Sequence, residues 1–230
     1  MKSKVYIIIS IVLIALGVFL LYEGWAVFLR FFDIIKRYQW VGVGIVAFVG
    51  LHYFIIRKHK GEANYEWAKT FSHELTHTII AMLCFREITS FKAEQGEGLI
   101  RSRGSDWAAA FVSLAPYCLP IFTYIMLFIW SLVASRSLVS TNSLWAIDII
   151  VGITIAFHFF CFKEQTGDYQ TDIKKFPRLF SYTFIWFFRI LNILIILLCY
   201  MPNKQTGQPL KVWGAFWYLI CQFWNDIGQF

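Results

Sequence analysis

The sequence predicts an all-α membrane protein: a polytopic bundle of about six transmembrane helices with a small hairpin after the third. Three observations carry this expectation. The 230 residues are 58% hydrophobic and only 15% charged, whereas a soluble domain is nearer half apolar and about a quarter charged. Apolar runs of about 18 residues or more recur along the chain, the length that a bilayer's hydrocarbon core requires of a helix. Lys and Arg, which give the formal charge of +7, gather in the connections between these runs. That placement suits headgroup contact and topology control, and it argues against a nucleic-acid partner. No Pro/Ser/Gly-rich linker or internal repeat divides the chain. Residues 1–230 therefore read as a single membrane-embedded domain, with a core at 64–200 and an interfacial tail at 201–230.

The elements follow in order. Residues 5–22 (VYIIISIVLIALGVFLLY) form the first span; they are longer than a signal-peptide core, and no small-x-small cleavage site follows. Residues 23–39 mix apolar side chains with Arg30, Asp33, Lys36 and Arg37, as an interfacial helix does. A second span at 40–56 closes on the basic run Arg57-Lys58-His59-Lys60, and a third helix covers 64–86. The polar stretch EITSFKAEQGEGLIRSRGSD (87–106) alternates partially around Gly96-Glu97-Gly98 and predicts a short hairpin. Residues 107–133 make a long span interrupted by Pro116 and Pro120. Spans at 144–162 and 179–200 flank the polar loop KEQTGDYQTDIKKFPR (163–178). The tail 211–224 is too short to cross and carries Trp213, Trp217 and Trp224. Trp40, Trp67, Trp107 and Trp145 stand near the starts of spans, as an aromatic belt would place them. Cys84, Cys118, Cys161, Cys199 and Cys221 show no CxxC spacing and read as small buried hydrophobes.

Within the third helix, FSHELTHTII (71–80) places three ionisable side chains on about one turn of an apolar segment. On a helix His73 and His77, at i and i+4, share a face and can offer two imidazoles to one metal ion. Glu74 is turned about 100° from His73, so it can reach a metal-bound water without taking a ligand position. Two imidazoles and one further ligand leave a position open for that water, which is the arrangement of catalytic zinc. Chance alone yields such a pattern on the order of 0.01 times in a chain of this composition.

A third ligand must come from another segment. His52 and His59 flank the end of the second span, and His158 in AFHFFCF reads first as a core histidine. Asp148 is an intramembrane carboxylate, and Asp168 and Asp172 lie in the 163–178 loop. Spacing alone leaves all three open.

The chain resembles the site-2-protease group of intramembrane zinc metallopeptidases, closest to its short B-like branch. The resemblance rests on FSHELTHTIIAMLCFREITSF (71–91), the hairpin-like segment, FVSLAPYCLPIF (111–122) and YQTDIKKFPRLFSYTFIW (169–186). It implies one Zn²⁺ per chain held by His73, His77 and an aspartate near the start of a later span, with Glu74 as catalytic base. That aspartate falls best on Asp172, with Asp168 and then Asp148 as fallbacks. It also implies that the hairpin lies beside the active site and can add a strand to an extended substrate. The chain departs from the group's pattern at Thr76, where glycine is common, and at Cys84-Phe85-Arg86, where a Gly-Gly pair is common.

The expected activity is zinc-dependent hydrolysis of peptide bonds in membrane-embedded or membrane-tethered protein substrates. The expected location is the bilayer, as a multi-pass integral protein. The alternatives are a non-catalytic scaffold or chaperone of the same fold and, third, a metal-ion transporter. No Walker loop, GxSxG or dinucleotide fingerprint is present.

Overall fold

The computed structural model describes residues 2–34, 39–56, 62–94, 98–105, 108–134, 145–200 and 212–227. The basic run with His59, the hairpin tip with Gly96 and Glu97, and Trp107 lie outside the described residues.

Helix α1 (Lys2–Ile34) runs through the first expected span without a break at residue 22. The separate interfacial helix expected over 23–39 is thus, as far as Ile34, a continuation of α1. Nothing between Glu23 and Ile34 interrupts the ladder: there is no proline, and a charged side chain does not end a helix. Helix α2 (Gln39–Leu51) closes in a π-turn (His52–Ile56), and α3 (Glu62–Leu83) follows.

The chain then reverses sharply. Phe85 takes a left-handed φ of 55°; the Arg86 N–H donates to the Ala81 carbonyl at 2.9 Å and the Phe85 N–H to that of Met82 at 3.0 Å. This is a Schellman closure with phenylalanine where glycine is the usual residue. It launches strand β1 (Glu87–Ala93), which pairs antiparallel with β2 (Gly98–Arg103) in the expected hairpin.

The segment with two prolines is broken. Helix α4 (Ala109–Leu114) and a 3-10 turn (Ala115–Tyr117) meet α5 (Ile121–Ala134) at 85°. Pro116 is tolerated at the start of the turn, and Pro120 has no N–H and disfavours helical φ/ψ at Leu119. The backbone groups freed by the break find side-chain partners, as they must in an apolar medium. Arg189 Nε donates to the Tyr117 carbonyl at 2.8 Å, Asn192 Nδ2 donates to that of Cys118 at 3.1 Å, and the Phe122 N–H donates to His158 Nε2 at 3.1 Å. These three polar side chains inside apolar helices therefore stabilise a break in a neighbouring helix.

Helices α6 (Trp145–Gln165) and α8 (Arg178–Tyr200) flank the short α7 (Thr171–Lys174), and α9 (Val212–Ile227) comes last. Helices α2 and α6 run side by side in the same direction. Trp40 meets Trp145 at one end, Phe48 meets Phe157 midway, and His52 approaches Glu164 at the other. Their backbones nearly touch: a Cβ on Gly44 would lie 2.0 Å from the Ile149 carbonyl oxygen, and one on Gly152 would lie 2.1 Å from that of Val41. Small residues permit such approach between membrane helices. Gly152→Val should force the pair apart and cost about 1–3 kcal/mol. A lower midpoint of thermal unfolding in detergent would report it, and an unchanged midpoint would contradict the close packing.

Among the described residues, three helices are long and apolar enough to cross a membrane: Lys4–Leu29, Trp145–Gln165 and Arg178–Tyr200. The bent pair at Pro120 makes a fourth if counted as one span, and Gln39–Phe54 and Val212–Cys221 are shorter apolar helices. The expected span at 64–86 is a helix but not one of these apolar spans, because Glu66, Lys69, His73, Glu74 and His77 all fall within it. Three cysteines are buried as expected, but Cys84 is half-buried and Cys221 exposed; all five are free thiols.

Candidate metal centre

Helix α3 presents His73 and His77 one turn apart, with ring centroids 4.8 Å from each other. The hydroxyls of the flanking threonines fold back on the helix, Thr76 onto the Ser72 carbonyl at 2.7 Å and Thr78 onto the Glu74 carbonyl at 2.8 Å. This satisfies their polar groups within the helix and leaves the motif face to the histidines.

Helix α7 delivers the third member. Ile173 is buried against Leu114, Tyr117 and Phe180, and the Ser181 hydroxyl donates to its carbonyl at 2.9 Å. The preceding residue, Asp172, then reaches α3: its Oδ2 lies 3.1 Å from His77 Nε2 and 3.8 Å from His73 Nε2. Ligand atoms of His73, His77 and Asp172 all lie within 4.8 Å of one another. The Asp172 Oδ1 accepts from Lys175 Nζ at 2.6 Å. Burial pushes the Asp172 carboxyl up, but the facing His73 and His77 rings and the Lys175 bond outweigh it. The group is held well below the usual carboxylate range.

The donor set suits a cation. His77 Nδ1 donates to the Val112 carbonyl at 2.6 Å, and because a carbonyl can only accept, this nitrogen carries the ring hydrogen. In the neutral ring Nε2 is then a lone pair facing a carboxylate oxygen at 3.1 Å. A proton on Nε2, which makes the contact an ion pair, or a metal ion between the two atoms removes the repulsion of these lone pairs. Two imidazole nitrogens and one carboxylate oxygen form a donor set that zinc accepts. His73 differs from His77 in its outer partner: its Nδ1 is buried without a hydrogen bond, and its ring packs edge-on against Tyr117 at 5.2 Å.

Glu74 is buried beside this triad and is not part of it. Strand β2 lies directly against it: a Cβ on Gly98 would come within 2.1 Å of Glu74 Oε1 and 2.6 Å of its carboxyl carbon. Only glycine leaves the carboxylate where it stands. Gly98→Val should displace Glu74 and lower any activity that depends on it, without removing His73, His77 or Asp172. Equal metal content with reduced turnover is the expected pair of readings, and unchanged turnover would contradict the contact.

The other candidate ligands are placed elsewhere. Asp168 accepts from the Tyr182 hydroxyl at 2.6 Å and pairs with Arg178 at 3.0 Å on the surface. Asp148, in the first turn of α6, is 3.4 Å from the Tyr200 hydroxyl. His158 serves the α4–α5 break, and His52 faces Glu164 at 3.9 Å. The sequence reading missed Gly98, Tyr117, Lys175 and the Val112 carbonyl. Only Lys175 had a local signal, its i, i+3 spacing from Asp172 on a helical turn. Comparison with protein-family models, with curated proteins and with solved structures finds no match.

Proposed function

We propose that this chain is a zinc-dependent intramembrane endopeptidase acting on membrane-embedded or membrane-tethered protein substrates. The observation that carries the reading is the meeting of half-buried His73 and Asp172 with buried His77, from two distant segments, with buried Glu74 one residue from His73. His73, His77 and Asp172 would hold Zn²⁺. The ion would supply Lewis acidity, lowering the pKa of a water from 15.7 to about 7 and polarising a scissile carbonyl. Glu74 takes the proton of the attacking water and passes it to the leaving amine. Asp172 supplies negative charge, and Lys175 holds its second oxygen at 2.6 Å so that Oδ2 faces the histidines. The Val112 carbonyl fixes the His77 tautomer that leaves Nε2 free.

A transmembrane helix hides its carbonyls in its own hydrogen bonds, so a substrate must be locally extended before hydrolysis. Among the described residues the hairpin is a two-stranded sheet with no further strand on either edge, and Gly98 brings it against Glu74. An extended peptide added to such an edge would lie beside the triad. We read the protein as multi-pass, with the polar α3 packed against the hairpin and the α4–α5 break.

A metal-ion transporter would need ligand groups along successive spans, whereas among the described residues His73, His77 and Asp172 are the one set of three that comes together. A non-catalytic scaffold would have no use for a carboxylate held beside the triad. The test is direct. The purified full chain in proteoliposomes, loaded with zinc, should generate new termini in a pool of membrane-spanning peptides, and a chelator should stop it. Uncleaved peptides at full zinc occupancy would count against the peptidase reading.

A further inference from the structure

A cavity of about 470 Å³ lies between α6 and α8, bounded also by Cys118 and Pro120 at the α4–α5 break. It falls within the range of ligand sites, roughly 300–1,000 Å³. Its walls are mostly apolar, with Ile155, Phe159, Ile193 and Ile196 among the lining residues. Phe159 and Ile193 are 66% and 58% exposed, so the cavity opens sideways, on the apolar face that two candidate spans turn outward.

The charged groups on its wall are both cations, Arg189 and Lys163, and no carboxylate lines it. Arg189 is engaged, among the described residues, by neutral groups: the Tyr117 carbonyl at 2.8 Å, the Phe162 carbonyl at 3.4 Å, the Thr166 hydroxyl at 2.6 Å and the face of the Phe162 ring at 5.1 Å. Among the described residues no carboxylate lies within ion-pair distance of Arg189 or of Lys163. A guanidinium cannot shed its charge in a protein, and an unneutralised cation within an apolar helix pair is costly. Asn192 does not relieve it: its amide donates to the Cys118 and Phe188 carbonyls and its oxygen accepts from the Tyr124 hydroxyl.

An anion that also carries apolar bulk would match both the charge and the lining of this cavity. A phosphodiester would neutralise Arg189 and Lys163 together, and an acyl chain would cover Ile193 and Ile196. We propose that this cavity is a binding site for an anionic phospholipid of the surrounding bilayer. The lateral opening favours a bilayer lipid over a water-borne anion. The site stands apart from the peptidase reading, although Arg189 links the two: it holds the carbonyl of Tyr117, whose ring lies against His73.

Native mass spectrometry of the delipidated full chain tests this, with phosphatidylglycerol and phosphatidylcholine of identical acyl chains as probes. One phosphatidylglycerol should bind per chain, about tenfold more tightly than phosphatidylcholine, as two charge-assisted contacts allow. Lys163→Glu, an exposed position, should remove that preference. Ile193→Trp, which fills the cavity, should weaken both lipids. Circular dichroism of each variant confirms that the helices persist. Equal binding of the two lipids by the native chain, or phosphatidylglycerol binding unaltered in both variants, would overturn the proposal.

Discussion

Glu74→Gln should lower peptide hydrolysis by about 10²–10⁴-fold, the usual contribution of a general base, while leaving zinc content unchanged. The amide keeps the shape of the carboxylate, so the contact with Gly98 and the packing of α3 persist. The triad of His73, His77 and Asp172 does not include it, so the ligand set is intact. What is lost is the ability to accept the proton of the attacking water. The comparison is turnover per bound zinc for the two proteins on one membrane-spanning peptide. Equal turnover would remove Glu74 from the mechanism, and lost zinc would make it a ligand instead of a base.

His77→Ala should release the metal. It removes one of three donors, and it is the donor whose orientation the structure fixes most firmly, through the Val112 carbonyl at 2.6 Å and Asp172 at 3.1 Å. Loss of an outer partner alone typically costs about 10–100-fold in metal affinity, and loss of a ligand should cost more. Asp172→Ala should do the same through the carboxylate. Lys175→Met keeps all three candidate ligands, removes the 2.6 Å bond to Oδ1 and a longer one to the Ser113 hydroxyl at 3.5 Å, and should fall within that 10–100-fold range. Competition against a zinc-binding dye ranks the variants. Full affinity in His77→Ala would mean that the metal sits elsewhere.

The pairing of His73 with His77 was legible in the sequence because helical period is local: i and i+4 share a face whatever the tertiary fold. The third member of the triad was not legible from spacing, and only the resemblance favoured Asp172, which reaches α3 through the burial of Ile173 and the Ser181 bond. Asp148, Asp168 and Asp172 look alike in sequence, and only their neighbours separate them. The hairpin was readable from its alternation, but its contact with Glu74 depends on how α3 ends. That end turns on Phe85 in a left-handed conformation, which a phenylalanine does not advertise. Apolar runs marked helices well and crossings less well. Pro120 breaks one run at 85°, and the polar residues of α3 keep it from qualifying as another apolar span. The partners of Arg189, Asn192 and His158 are backbone groups at that break, which sequence spacing does not reveal.

The central claim is that one metal ion organises His73, His77 and Asp172. X-ray absorption at the zinc edge, on purified full-length protein, tests it most directly. The account predicts one zinc per chain, with two imidazole nitrogens at about 2.0–2.1 Å and carboxylate or water oxygens at about 2.0–2.2 Å. A protein without bound zinc, or a zinc shell that lacks imidazole, would contradict it.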